Sequence, residues 1–532
     1  MVLAVEKNLI GTKKDSFTSG VLILSLSAVI VKIIGLIYKI PMLRLLGSEG
    51  MGYFNSAYEI YTLFCTVATT GLPVAMSVMI SSRRDGGGAK EIFRAAIKLF
   101  LILGVVGCGI MIAFAKPFAV FLGSERASYC ILAIAPTVFL ICLSSAFRGY
   151  FQGKSRMAPT AVSQIIEALG KLILGLVFAF AALSAGLSTE IVAAFAVMGL
   201  TLGTLVSVLY LALTKHLGEK NSTETLPDES ERGIIRRLLR TAVPVTLSSA
   251  VISVTKVIDM SMILRRLQDL GQSSDRAFAA YGNYTTLALP LFSLAPALIS
   301  SVAMPLIPSL SGAISKGDRY EQTRVVGDAM KLTCLVSMPI SFGLTLFARP
   351  ILELLFSGED EAIASAAPLL CILGLSVMLS CMITVGNAVL QAYGKPSVPI
   401  FSMVLGSVAK ILIAYLLIGD PRVGIIGAPI STFFCDLIIN AVNFYYICKA
   451  MPGIPSLGKV MLRPALAAAV SVSLARVAYN ILCARVGESA LTTVIAIAFA
   501  AILYLICVLI FGAVGKEDIA KFPILGRMRI YR

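Results

Sequence analysis

The chain has 532 residues, 58% of them hydrophobic and 14% charged, with 45 Lys and Arg against 29 Asp and Glu and a formal net charge of +16. Soluble domains carry about 25% charged residues, so this composition excludes a water-soluble fold and points to a membrane protein. With a single histidine, His216, and no P-loop pattern, the chain lacks the groups for histidine-based catalysis, histidine metal sites or ATP-driven pumping.

Fourteen apolar runs follow one another, each long enough to cross a hydrocarbon core of about 30 Å. They cover 17–43, 51–80, 92–115, 127–150, 157–183, 189–214, 240–264, 282–313, 325–347, 362–392, 397–418, 424–448, 460–483 and 489–513. The runs are continuous rather than alternating, so they predict helices and not barrel strands. Lys7, Lys13 and Lys14 precede a long first span without a cleavable-signal layout, so that span is expected to stay. An even number of spans puts both termini on one side, and most of the 45 Lys and Arg fall in loops and tails on that side. This bias predicts cytoplasmic termini, and it uses the positive charge for orientation, not for nucleic acid. Eleven cysteines lie in or beside the spans without a C-x-x-C pair, as small buried hydrophobes would.

The first half of the chain is repeated in the second. Tyr53, Asn55, Leu63, Phe64, Val74, Ala75, Met76 and Ser81 recur without a gap as Tyr281, Asn283, Leu291, Phe292, Val302, Ala303, Met304 and Ser309. Upstream, Ser27–Ile30 and Arg44 return as Ser249–Ile252 and Arg266; downstream, Gln152, Ser163 and Lys171 return as Gln391, Ser402 and Lys410. The shift is six spans, an even number, so the copies cross in the same direction and form a parallel repeat. The predicted architecture is all-α and polytopic, with two six-helix lobes and two further helices. Its divisions are 1–222 for the N-lobe, 223–450 for the C-lobe and 451–532 for the last two spans and tail. The polar stretch Lys215–Arg240 reads as a linker ending in a basic surface helix, and 81–90 as a flexible glycine-rich loop. Helix breakers gather in the second span (Gly71, Pro73) and more densely in its partner (Pro290, Pro296, Pro305, Pro308), marking the eighth span as a bending element.

Ionisable groups at membrane depth are costly and point to function. Lys32 and Lys39 share one face of the first span with no acid three or four residues away, and Arg44 sits near its outer end. Lys256 and Asp259 stand three apart in the seventh span, and Glu167 and Lys171 four apart in the fifth, both spaced for local ion pairs. Lys410 is the repeat partner of Lys171 but has Gly406 where Glu167 would be matched; Glu59 and Asp436 complete the set. The balance is cationic, which suits an anionic group such as a phosphate.

Several segments carry a family resemblance: S-A-V-I-V-K-I-I-G-L-I-Y-K-I-P (27–41), L-R-L-L-G-S-E-G-M-G-Y-F-N (43–55), Y-T-L-F-C-T-V-A-T-T-G-L-P-V-A-M-S (61–77) and F-R-G-Y-F-Q-G-K-S-R-M-A-P-T-A-V-S-Q-I-I-E (147–167). The chain resembles the polysaccharide transporters and MurJ-type lipid II flippases of the multidrug/oligosaccharidyl-lipid/polysaccharide exporter superfamily, nearest the stage V sporulation protein B branch. The resemblance implies a MATE/MurJ-like fold, alternating access, no cofactor and no enzymatic step. It implies as cargo an undecaprenyl-pyrophosphate-linked oligosaccharide or lipid II for peptidoglycan or surface-polysaccharide synthesis. Membrane lipids are the other partners, and a monovalent cation is a candidate for coupling. The resemblance implies a bacterial cytoplasmic membrane, and it puts Lys32 at a pyrophosphate-engaging position, Lys39 one residue from another, and Arg44 at a basic position near the end of that helix. The site expected from these and the intramembrane charges together has Lys32 and Lys39 at the headgroup, Arg44 at the outer side, Glu59 as a gating partner, and Lys256, Asp259 and Lys410 around the cavity. Lysine stands where the MurJ-type flippases commonly carry arginine, which keeps charge but loses the bidentate fork. The last two helices would help form a lipid-tail groove. Two rival readings are a cation-coupled multidrug antiporter of the same superfamily, which would need dominant acids, and a non-transporting membrane scaffold, which would have lost the cavity charges.

Overall fold

A computed structural model describes residues 17–82, 88–218, 231–451, 453 and 458–513. Most of the inter-lobe linker (219–230), the centre of the glycine-rich loop (83–87) and both terminal tails lie outside the described residues. Helices follow one another along the whole described chain: α1 (Phe17–Thr69), α2 (Gly71–Ser81), α3 (Ala89–Ala113), α4 (Ala115–Phe121), α5 (Ala127–Gly153), α6 (Met157–Ser184), α7 (Thr189–Gly218), α8 (Glu231–Asp269) and α9 (Ser274–Asn283). After a π-turn at Tyr284–Ala288 come α10 (Leu289–Ser315), α11 (Arg319–Leu346), α12 (Ala348–Leu355), α13 (Asp360–Ala392), α14 (Ser397–Ile418), α15 (Gly427–Ala450), α16 (Arg463–Val486) and α17 (Ala490–Ile510).

Thirteen of the described helical segments are long and apolar enough to cross a membrane. The first, Leu26–Ser81, has 56 residues. At 1.5 Å per residue it would reach about 84 Å, nearly three hydrocarbon cores, so it supplies two crossings. Gly47 makes the turn between them, with φ 66° and ψ 178°, a conformation that a Cβ strongly disfavours. Counted this way, the thirteen segments contain the fourteen predicted crossings. The basic stretch ahead of the seventh span is the first part of α8 itself, not a separate surface helix.

The Cα framework divides into two compact units. One runs to Thr286 and includes Ile418–Ile425; the other is Leu287–Leu417 with Ile426 onward. Within the first unit small residues bring backbones together, as they must where lipid supplies no hydrophobic drive between helices. A Cβ on Gly170 or Gly199 would meet the backbone of Gly203 or Gly175 across the α6–α7 contact. Gly52 of α1 and Gly282 of α9 do the same: their Cβ positions meet the carbonyls of Phe278 and Ser48. Within the second unit, α16 and α17 pack on α11 through Cys334, Met338, Ala467, Ala468, Tyr504, Cys507 and Val508. Tyr504 Oη donates to the Leu335 carbonyl at 2.8 Å, which satisfies its polar end in an apolar seam.

Gly282→Val should be strongly destabilising, by about 1–3 kcal/mol or more, because the obstructing atoms are main chain and cannot step aside. Gly312→Ala, with nothing within 4 Å of its Cβ, should be neutral or stabilising. Thermal melts of the two purified variants in detergent check this.

Candidate functional site

The densest polar cluster of the first unit begins with a defect in a helix. Pro290 has no N–H and its ring crowds the carbonyl four residues back. Just ahead of it the chain opens into the π-turn Tyr284–Ala288. In an α register the carbonyl of Thr285 would take the N–H of Leu289; in a π register it would take that of residue 290, a proline. Lys39 Nζ donates to this carbonyl at 2.5 Å. Asn55, buried, donates from Nδ2 to Thr285 Oγ1 at 2.9 Å and to Thr286 Oγ1 at 2.8 Å. Both arms of α1, before and after Gly47, therefore converge on one turn of the eighth span.

The sequence-predicted charges assemble unevenly around this point. Lys39 and Glu59 are half-buried, and Lys39 lies within electrostatic range of both Lys171 and Glu59. Tyr281, buried on α9, lies within such range of Glu59 and Asp259, and Asp259 is itself buried. Lys32 and Lys256 are exposed and within electrostatic range of each other. Thus Lys32, Lys39, Glu59, Lys256 and Asp259 belong to one unit, while Lys410 sits in the other, beside the buried Asp436. Arg44 is exposed on α1, one turn before Gly47.

The spacing of Glu167 and Lys171 predicts a local ion pair, but the geometry divides them. Arg148 of α5 takes the carboxylate, Nη2 to Glu167 Oε2 at 2.8 Å, and donates from Nε to Ser163 Oγ at 2.9 Å. Ser207 Oγ of α7 donates to the Ser163 carbonyl at 2.9 Å and ties a third helix to the network. The Lys171 ammonium instead lies over the rings of Tyr58, Tyr38 and Phe54, at 4.3, 5.1 and 5.4 Å from their centroids. A ring face offers a cation partial compensation for lost water. Sequence reasoning passed over Arg148 and this aromatic cage. Arg148 falls at the edge of a predicted span, where arginine reads as an interfacial anchor, and its contact with Glu167 crosses from one helix to another.

The duplicated network in the second unit is neutral. In the register that matches Ser163 to Ser402, Arg148 corresponds to Asn387 and Glu167 to Gly406. Ser402 Oγ donates to Asn443 Oδ1 at 2.7 Å, and Asn443 Nδ2 donates to Asn387 Oδ1 at 2.8 Å. Cation and anion are both missing at the second copy, so neither is left alone in the membrane.

This arrangement of spans defines a multi-pass membrane protein of the transporter type, and similarity to known proteins gives the family. The chain belongs to the polysaccharide biosynthesis protein family, whose model matches residues 17–314, and a MatE model matches 244–416; both lie in the MOP superfamily of transporters. It is 27% identical to stage V sporulation protein B of Bacillus subtilis (strain 168), over 97% of this chain and 99% of that protein. It is 26% identical to the lipid II flippase MurJ of the same organism, over 74% of this chain and 76% of that protein. Its fold matches a solved structure of lipid II flippase MurJ in an inward closed conformation, with a TM-score of 0.72, 15% identity, and 92% and 98% of the two chains covered.

Arg148→Ala should cost about 3–5 kcal/mol, since it strands Glu167 in a site where the two side chains are only 12% and 19% exposed. The double variant Arg148→Met/Glu167→Leu should recover most of that loss. A double-mutant cycle on melting in detergent measures both effects; equal losses in the single and double variants would show that the pair's charge is not what the site requires.

Proposed function

We propose that this protein is a flippase that carries a lipid-linked, anionic glycan precursor across the bacterial cytoplasmic membrane by alternating access, with both termini in the cytoplasm. The cargo class is an undecaprenyl-pyrophosphate-linked sugar or lipid II-like molecule for peptidoglycan or surface-polysaccharide synthesis. The observation that carries the reading is the collection of Lys32, Lys39, Lys171 and Lys256 in one unit against few acids. Ammonium groups at membrane depth attract a pyrophosphate as point charges and tolerate its movement, because they impose no fixed fork on it.

In this reading the exposed Lys32 and Lys256 make first contact with the headgroup, and Arg44 meets it toward the outer side. Lys39 is engaged on the Thr285 carbonyl. A pyrophosphate that draws Lys39 away withdraws the donor from a helix turn that cannot supply its own, so binding bears on the geometry of the eighth span. Glu59 competes for the same ammonium and helps to reset it. The rocking bodies would be the N-lobe (1–222) and C-lobe (223–450), with 451–532 as the added pair of spans, and Lys410 and Asp259 would complete the cavity lining. The names of the relatives, one a sporulation protein and one a lipid II flippase, support the cargo class.

A second reading, a cation-coupled multidrug antiporter, draws on the MatE match and on the two acids, Glu59 and Asp259, that flank Tyr281. Depletion separates them: a flippase leaves a lipid-linked wall or polysaccharide precursor in the inner leaflet, whereas an antiporter leaves the cell drug-sensitive with precursor pools unchanged.

Lys32→Ala/Lys39→Ala should abolish translocation of fluorescent lipid II in proteoliposomes. Lys32→Ala alone, at an exposed position, should slow translocation at least tenfold with an unaltered melting temperature, since it removes a contact to the charged headgroup. Normal translocation in the double variant would sink the site assignment.

A further inference from the structure

The second unit holds a pocket of about 340 Å³ beside α12 and the last turns of α16, lined in part by Arg349, Glu353, Arg476, Tyr479, Asn480 and Glu488. Arg476 lies ten residues before the end of α16 at Val486, about 15 Å along the helix axis. A guanidinium at that depth is costly in a spanning helix. Two rings cover it: its Cζ lies 5.5 Å from the Phe347 centroid and 5.2 Å from that of Tyr479. Phe347 and Tyr479 in turn meet edge to face at 5.7 Å, so the arginine rests on a rigid aromatic corner. The rings compensate the charge but accept no in-plane hydrogen bond. Arg476 Nη1 is buried and has no hydrogen-bond partner among the described residues.

The other charges at the pocket are already balanced or outward. Arg349 Nε donates to Glu353 Oε1 at 2.7 Å across one turn of α12, and the Arg349 side chain is 70% exposed at the rim. This leaves Arg476 as the unanswered donor, with Asn480 and Glu488 as acceptors in the same lining and Glu488 within electrostatic range of Arg349. A pocket with two arginines and two glutamates has no net charge to draw a bare anion from solution. It does match a group that joins an anionic oxygen to hydrogen-bond donors a few ångströms away. The mouth of the pocket also adjoins apolar surface. Arg476, Tyr479, Asn480 and Cys483 share one face of α16, and the exposed Val470, Leu474, Val477 and Ile481 run along the neighbouring face.

We propose that this pocket is a binding site for a membrane phospholipid: Arg476 holds the phosphodiester, Glu488 and Asn480 accept from head-group hydroxyl or amino groups, and an acyl chain lies along the apolar stripe of α16. The proposal does not depend on the cargo assigned to the lysine cluster.

The test is native mass spectrometry of the full-length protein in detergent, titrated with phosphatidylglycerol. One phosphatidylglycerol should be retained about tenfold more tightly by the wild type than by Arg476→Gln, the loss expected for a charge-assisted, two-pronged contact. Arg476→Lys should recover only part of it, because an ammonium lacks the planar fork. Arg349→Gln, at the exposed rim, is a second variant with little bearing on folding and should weaken retention less. Millimolar inorganic phosphate or glycerol 3-phosphate should leave the lipid in place; displacement by either would move the ligand from the bilayer to solution and overturn the lipid assignment. Wild-type retention in both Arg476→Gln and Arg349→Gln would overturn the site.

Discussion

In hydrocarbon every main-chain carbonyl needs a donor, and in the π register the carbonyl of Thr285 faces residue 290, a proline without an N–H. Pro290 removes the N–H, the π-turn shifts the register, and Lys39 supplies the missing hydrogen bond from another span. This contact ties the most expensive backbone group of the eighth span to one of the most expensive side chains of the first. Each answers the other's need, so neither has to be moved to water. Asn55 secures the same turn through its two threonine hydroxyls, which fixes where the ammonium must reach.

The consequence is a site whose resting state is already satisfied. A lysine free in a cavity would hold a counter-ion or water and gain little specificity from its surroundings. A lysine engaged on a carbonyl can be released only by a group that offers more, as a pyrophosphate with its two negative charges would. In the proposed flippase reading, headgroup recognition and helix geometry would share one atom, the Nζ of Lys39. Lys171 shows the contrasting solution: three aromatic rings lie under its charge, and Glu167, still within electrostatic range of it, makes its ion pair with Arg148.

The two copies of the ancestral unit have diverged along the same logic. Where the first has Arg148, Ser163 and Glu167, the second has Asn387, Ser402 and Gly406, with Asn443 closing the network through neutral amides. The buried Ile439 side chain occupies the space that a Cβ on Gly406 would need. Loss of a buried charge is tolerable only if its partner goes with it, and both have gone. The buried Arg148–Glu167 pair is therefore a property of one copy and not of the fold.

The sequence alone determined the class, the number of crossings and the duplication, because each depends on composition and spacing along one chain. Length and hydropathy set the spans, and repeated residues in the same order set the two copies. Pro290 also showed, as a residue without an N–H, where a helix would have trouble continuing, whereas the turn at Gly47 came from the structure. The partners at those points came only from the tertiary structure. Spacing of four paired Glu167 with Lys171, since helical neighbours are all that a linear sequence can see; the fold brought Arg148 from α5 and gave the carboxylate a closer cation. Lys39 stood without a local acid, and what filled its coordination was a main-chain carbonyl, a group present at every residue and so invisible to any motif. Sequence fixes which groups are costly to bury, but what answers that cost is settled by which helices touch.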